Sequence, residues 1–129
     1  MANIAYFEIP ADNVDRAKHF YKNLLGWKIK PAEGTSMDQK KLAAIEYHEI
    51  ITGEARDGTM NMGGMYKRQM NEPIKSYVIV EDLDNVLSNV VKLGGKIVMP
   101  KEAIKGVGHV AIILDTEGNG IGLWKPGMP

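Results

Sequence analysis

At 129 residues the chain has the size of one ordinary domain, long enough to bury a sizeable core. With 44% apolar and 25% charged residues it is globular rather than disordered, and a formal charge of zero without a long basic run argues against nucleic acid or an anionic membrane as partner. No cysteine is present, which excludes disulfides, thiolate nucleophiles, zinc–cysteine sites and iron–sulfur clusters.

The opening segment MANIAYFEIP lacks the charged-then-apolar pattern of a signal peptide. The longest apolar run, Val110 to Leu114, is far too short to span a bilayer. A soluble cytoplasmic domain with no membrane partner is the expectation.

In chain order the sequence repeats itself. FEIPADNVDRAKHFYKNLLGWKI, from Phe7, lies over YVIVEDLDNVLSNVVKLGGKI, from Tyr77, so that Ile9 meets Ile79, Asp12 meets Asp82 and Lys22 meets Lys92. After a short gap Gly26, Lys28 and Ile29 meet Gly94, Lys96 and Ile97. Each copy predicts a strand, an acidic turn, a helix, a glycine stop and a strand. The first helix carries Ala17, Phe20, Tyr21 and Leu24 as its apolar stripe, the second Leu83, Val86, Leu87 and Val90. Asp12 and Asp82 suit the helix starts, Gly26 and Gly94 the left-handed stops.

Strands then follow in each half: Trp27 to Lys30, roughly Lys41 to Ile51 and Met60 to Tyr66, then Gly95 to Met99, His109 to Leu114 and Gly120 to Trp124. The polar stretch Pro31 to Lys40 predicts a loop, and Met70 to Pro73 a linker. The expectation is a single domain over 1–129, with half-repeats over about 1–69 and 74–129. The fold class is α+β: two βαβββ repeats forming one curved, incompletely closed sheet with helices outside and a cleft inside.

A duplicated pattern that opens FEIPADNVDRAKHFYKNLLGW and closes DTEGNGIGLW resembles the vicinal oxygen chelate superfamily over nearly the whole chain. That superfamily includes glyoxalase I, bleomycin- and fosfomycin-resistance proteins and extradiol dioxygenases. The resemblance implies a cleft in which family enzymes hold a divalent metal on His and Glu side chains from the first and last strands of each half. It places the first-strand position on Tyr6, its second-half counterpart near Ser76 and the last-strand acid on Gly122. The last strand of the first half, MNMGGM, contains neither acid nor histidine. No metal and no other cofactor are expected, and open volume is expected where Gly120 and Gly122 share a face with Trp124.

Other polar residues compete for a role. Glu46 and His48 should alternate onto one strand face, a spacing that two metal ligands can use. Glu8 shares a face with Tyr6, and His109 with Ala111 and Ile113. His19 lies on the surface of the first helix. The glycine-rich GVGHV and GNGIG lead into strands rather than helices, so neither is a nucleotide loop. Met60, Met62, Met65 and Met99 would serve as core or as a pliable pocket. The expected function is therefore the binding of a small, partly apolar molecule in the cleft without the family's metal, with Tyr6, Glu8, His48, His109 and Trp124 as ligand-binding residues. By resemblance the protein is a homodimer. The alternative is a lyase, isomerase or dioxygenase of glyoxalase type using Glu46, His48 and Glu8 as displaced metal ligands, or a metal-free acid–base enzyme built on Glu8 and a histidine.

Overall fold

The computed structural model describes residues 2–32, 39–53 and 62–127. They form an α+β fold in two compact units, Tyr6–Ile74 and Lys75–Pro129, the latter joined by Met1–Ala5.

The first unit contains β1 (Asn3–Ala11), α1 (Val14–Leu25), β2 (Lys28–Pro31), α2 (Gln39–Ala44), β3 (His48–Ile51) and β4 (Met62–Lys67). Its strands run in the order β2-β3-β4-β1, with β4 and β1 parallel and the other pairs antiparallel. Alternation along β1 sends Ile9 and Ala11 to one side, where they meet Val14, Ile29, Ile50 and Met65 beneath α1. Phe7, Ala17, Tyr21 and Trp27 pack against that core, with the Tyr21 and Trp27 rings stacked at 5.3 Å. Of the expected α1 stripe, Ala17 and Tyr21 face the sheet, whereas Phe20 and Leu24 are 56% and 64% exposed. Val14, Ala17 and Tyr21 already cover the short face of the sheet, and Phe20 lies edge-on against Tyr21.

Two expectations in this unit are corrected. The segment Lys41 to Ile51 is not one strand: α2 takes its first part, and β3 begins only at His48. QKKLAA is composed wholly of good helix formers, while the β-branched pair sits in HEII. The helix stops in a left-handed residue, Glu46 at φ 52°, where the Glu46 amide donates to Ala43 O and the Tyr47 amide to Leu42 O at 2.9 Å. Likewise Asn13, not Asp12, caps α1 by accepting from the Arg16 amide at 2.9 Å. Asp12 instead pairs with Arg68 at 2.8 Å. Gly26 ends α1 in the left-handed region, as expected. Of the loop expected at Pro31 to Lys40, Pro31 ends β2, residues 33–38 lie outside the described residues, and Gln39 and Lys40 open α2. Met60, the expected start of the last strand, also lies outside them.

The expected linker follows β4 without regular structure of its own. Glu72 folds it back: its carboxylate accepts from the Tyr66 hydroxyl and from the Gln69 and Met70 amides.

The second unit contains β5 (Lys75–Ile79), α3 (Leu83–Val90), β6 (Lys96–Ile104), β7 (Gly108–Leu114) and β8 (Gly120–Pro126). Its strand order is β5-β8-β7-β6, with β5 parallel to β8. Val80, Leu83, Ala111 and Leu123 form the core, with Val78, Val86 and Leu87 packed on it, so the α3 stripe is as the sequence predicts. Asp82 caps α3, and Gly94 takes a left-handed conformation in the turn that follows. β6 runs past Met99 to Ile104, because register shifts on either side of Met99, the second spanning Pro100, let an edge strand carry a proline. Asp115 holds the β7–β8 turn by accepting from the Glu117 and Asn119 amides at 2.8 and 2.9 Å. Among the described residues no helix is long and apolar enough to cross a membrane.

Candidate functional site

In each unit the side of the four strands away from the long helix carries polar and aromatic side chains of its own, separate from the Phe7, Tyr21 and Trp27 group on the core side of the first unit. In the first unit β1 turns Tyr6 and Glu8 to that side, because Ile9 and Ala11 belong to the core. Register then sets their neighbours: Glu8 pairs with Gly64, and Gly64 with Glu49.

Tyr47 leaves the turn after α2 and lies over Gly64, where a Cβ would come within 1.9 Å of its hydroxyl. That hydroxyl donates to Glu8 Oε2 at 2.8 Å and sits 2.8 Å from the hydroxyl of Tyr6. A phenol has one proton to give, and Tyr47 gives it to Glu8, so Tyr6 is the donor in the second bond. The Tyr47 ring stacks on Tyr66, with centroids 6.2 Å apart and planes 6° from parallel. Three tyrosines and a carboxylate thus form one connected patch built from β1, β4 and the α2–β3 turn.

Electrostatics hold these tyrosines as phenols. Burial pushes the Tyr6 hydroxyl well above its ordinary value, the Tyr47 bond opposes this, and the charges of Glu8 and Glu49 add to it. Burial also raises Tyr47, reinforced by Glu8 and Tyr6, and raises Tyr66, reinforced by its bond to Glu72. At neutral pH the patch presents phenols rather than phenolates, with the hydroxyl protons of Tyr47, Tyr6 and Tyr66 given to Glu8, Tyr47 and Glu72.

In the second unit the Tyr77 ring plays the covering part. A Cβ on Gly122 would lie 2.3 Å from it, so the volume expected at Gly122 is filled. Gly120 keeps open space, with no heavy atom within 4 Å of a Cβ there. Trp124 lies on the same side as Gly122, its indole N–H donating to Val107 O at 2.9 Å. Counting back from the caps, Tyr6 stands seven residues before Asn13 and Lys75 seven before Asp82. Glu8 opposite Gly64 corresponds to Tyr77 opposite Gly122. The second-half counterpart of Tyr6 is therefore Lys75, not Ser76, one residue away from the sequence alignment.

The remaining candidates are not brought to this side. His48 pairs with the core residue Met65, so it faces away from Glu8, and its Nδ1 contacts Glu46 O at 2.7 Å. Glu46 occupies the left-handed turn and shares no strand face with His48. His109 pairs with Ala103 and Lys125 on the α3 side, with Ala111 and Ile113 as expected but opposite Trp124. Its charge field helps hold the exposed Asp84 carboxyl below its usual range, after the stronger effect of Lys101. His19 is exposed, as expected. Met65 is fully buried in the core and Met62 points to the other side, so these two line no common pocket. Tyr47, Tyr66, Tyr77 and Lys75 escaped the sequence reading. Their roles depend on contacts from Tyr66 to Glu72 up to Tyr47 with Tyr6, 41 positions apart, and no local pattern reports them.

Among the described residues the donor set does not fit the divalent metal of the family. Acids at Gly122 and at its counterpart Gly64 would collide with the Tyr77 ring and the Tyr47 hydroxyl. Among the described residues no group of three or more His, Cys, Asp or Glu side chains could hold a metal ion.

Comparison with known proteins places this geometry. The family model described as bleomycin resistance protein-like N-terminal matches residues 3–43. A glyoxylase-like domain-containing protein of Didymella fabae is 32% identical over 123 residues, covering 90% of this chain and 88% of that protein. The anthracycline biosynthesis protein DnrV of Streptomyces peucetius is 26% identical over 132 residues, covering 96% of this chain. The chain spans 47% of DnrV, and 44% of a Mycobacterium tuberculosis relative, less than half of each. Among solved structures, the methylmalonyl-CoA epimerase of Streptomyces coelicolor in complex with 2-nitronate-propionyl-CoA superposes with a TM-score of 0.65. It covers 96% of both chains at 11% identity, a likeness of fold alone.

Proposed function

Because the chain belongs to the glyoxalase/bleomycin-resistance group of the vicinal oxygen chelate superfamily, we propose that it binds a small, partly apolar molecule on the sheet sides away from its helices, without the family's catalytic metal. The observation that carries this reading is the Tyr47 hydroxyl, which occupies the Cβ space of Gly64 and donates to Glu8. That position holds a neutral phenol, fixed by the Tyr66 stack and by Tyr6. Such a patch offers flat apolar ring area with phenol oxygens at its edge that can accept hydrogen bonds, their own protons being given to Glu8, Tyr47 and Glu72. Small-molecule sites combine apolar area with a few fixed polar groups in this way. The ligand named in the epimerase complex supports a small molecule as the occupant of this scaffold. A cytoplasmic location and a homodimer belong to the same proposal; sedimentation of the purified chain at twice the monomer mass is the outcome expected for the latter.

Thermal unfolding with added compounds tests the proposal, since a ligand selective for the folded state raises the midpoint by mass action. At least one small aromatic compound or antibiotic should raise it, and Tyr47→Ala should abolish that rise. Nickel, zinc, manganese and iron(II) should leave stripped protein unchanged. Tight one-to-one uptake of any of these ions, lost in Glu8→Gln, would overturn the metal-free reading.

A further inference from the structure

Lys75 is the one charged residue in the buried class among the described residues, at 8% exposure. Lysine is almost never buried to this extent unless its charge is used. Removing an ammonium from water costs several kcal/mol unless acceptors surround it. A leucine or methionine of similar length would fill the same volume without that cost, so packing alone does not account for the residue.

Its direction is set by its strand. Val78 and Val80 pack into the core under α3, so Tyr77 and Lys75 point to the other side. Tyr77 pairs with Gly122 in parallel register as the first pair of that ladder, and Lys75 precedes Tyr77 by two residues on β5 as Gly120 precedes Gly122 on β8. Gly120 is the glycine whose Cβ space is open, whereas the Tyr77 ring covers Gly122. Trp124 continues the same face beyond Gly122. A buried ammonium, an open notch and two aromatic rings therefore share one side of one sheet.

We propose that Lys75 is the anion-recognition group of a ligand site on this side of the second unit, and that the ligand carries a carboxylate or an equally acidic oxygen beside its apolar part. Lys75 has an interaction within the chain, and an ammonium has three donor hydrogens, so an internal contact and a ligand oxygen are compatible. Charge-assisted hydrogen bonds in a desolvated place are the strong kind. Tyr77 and Trp124 supply the apolar surface, and Gly120 the room. The inference rests on the small-molecule reading above and adds the charge of the ligand.

The test uses a matched pair of probes, phenylacetate and the isosteric neutral phenylacetamide, titrated into the full chain carrying 13C-labelled lysine. Phenylacetate should shift the Lys75 Cε resonance saturably and bind Lys75→Gln at least about tenfold more weakly. Phenylacetamide should bind native protein and Lys75→Gln alike, and more weakly than phenylacetate binds native protein. Lys75→Arg, which keeps the charge, should retain part of the selectivity. If Lys75→Gln does not fold, the resonance titration and Lys75→Arg decide alone. Equal binding of the two probes, or phenylacetate binding untouched in Lys75→Gln, overturns the inference. If neither probe binds while another neutral compound does, this inference fails and the proposed function stands. If no compound binds, both fail.

Discussion

The hydroxyl of Tyr47 donates to Glu8 across 39 positions of sequence, at 2.8 Å, and at the same time approaches the hydroxyl of Tyr6. The bond joins an acid on the first strand to a residue that enters the sheet from a helix turn. Tyr47→Phe removes the donor while keeping the ring on Tyr66, and should cost about 1–2 kcal/mol because Glu8 loses a partner in a part-buried place. Combined with Tyr6→Phe the loss should be non-additive, with a coupling of about 0.5–3 kcal/mol. Urea unfolding of the four chains measures both. A Tyr47→Phe chain as stable as the native one would remove the relationship.

Three glycines that face away from the long helices, one in the first unit and two in the second, should respond differently to a methyl group. Gly64→Ala drives the Tyr47 hydroxyl out of its seat, and Gly122→Ala presses on the Tyr77 ring, so each should lose about 1–3 kcal/mol. Gly120→Ala meets nothing within 4 Å and should be neutral or gain about 0.4–1 kcal/mol through the unfolded chain. Thermal midpoints of the three variants rank them, and a Gly122→Ala variant as stable as Gly120→Ala would contradict the placement of Tyr77.

Alkaline titration follows from the tyrosine environments. Tyr6, Tyr47 and Tyr66 hold their protons more tightly folded than unfolded, mainly through burial. The unfolded chain therefore releases these protons first. Their contribution to stability is complete below the ordinary phenol value of about 10 and declines as pH rises above it. Absorbance at the phenolate band should show these three titrating only with unfolding. If Tyr47→Phe deletes a step from the ordinary range in folded protein, the buried network is wrong.

Acid acts through the other sign. The Asn119 amide, the Asn119 side chain and the Glu117 amide hold the Asp115 carboxyl below its usual range. The native chain then binds fewer protons than the unfolded one, so the stabilisation is present above the ordinary carboxylate value and is lost as pH falls through the depressed one. Asp115→Asn should flatten the acid limb of stability against pH and leave the alkaline limb unchanged. An acid limb as steep as in the native chain counts against the turn.

Glu46 is the one described non-glycine residue with positive φ. Left-handed backbone costs a residue with a Cβ roughly 1–2 kcal/mol, so Glu46→Gly should stabilise the α2–β3 turn by up to about 1 kcal/mol. Chemical denaturation measures it, and a destabilised variant would mean that the glutamate side chain itself anchors the turn.

Local repetition along the chain was enough to establish the duplicated α+β pattern, both long helices, the left-handed glycines and which residues share a face in β1, β7 and β8. Those features follow from periods of 3.6 and 2 and from glycine's freedom at positive φ, which neighbouring residues express by themselves. The same periodicity missed α2, because Lys41 to Ile51 joins helix formers to a short strand without a break. It also slipped the repeat by one residue, taking Asp12 for the cap that Asn13 provides. In a strand one residue is a change of face, and that slip separated Ser76 from Lys75.

Which side chain fills the space above a glycine was settled only in three dimensions. Tyr47 over Gly64 and Tyr77 over Gly122 both depend on strand pairing between distant segments. So does the sending of His48 and His109 to the helix sides while Tyr6, Glu8 and Trp124 stay on the other. The alternation of a strand says that two residues share a side, but the core it packs against decides which side that is.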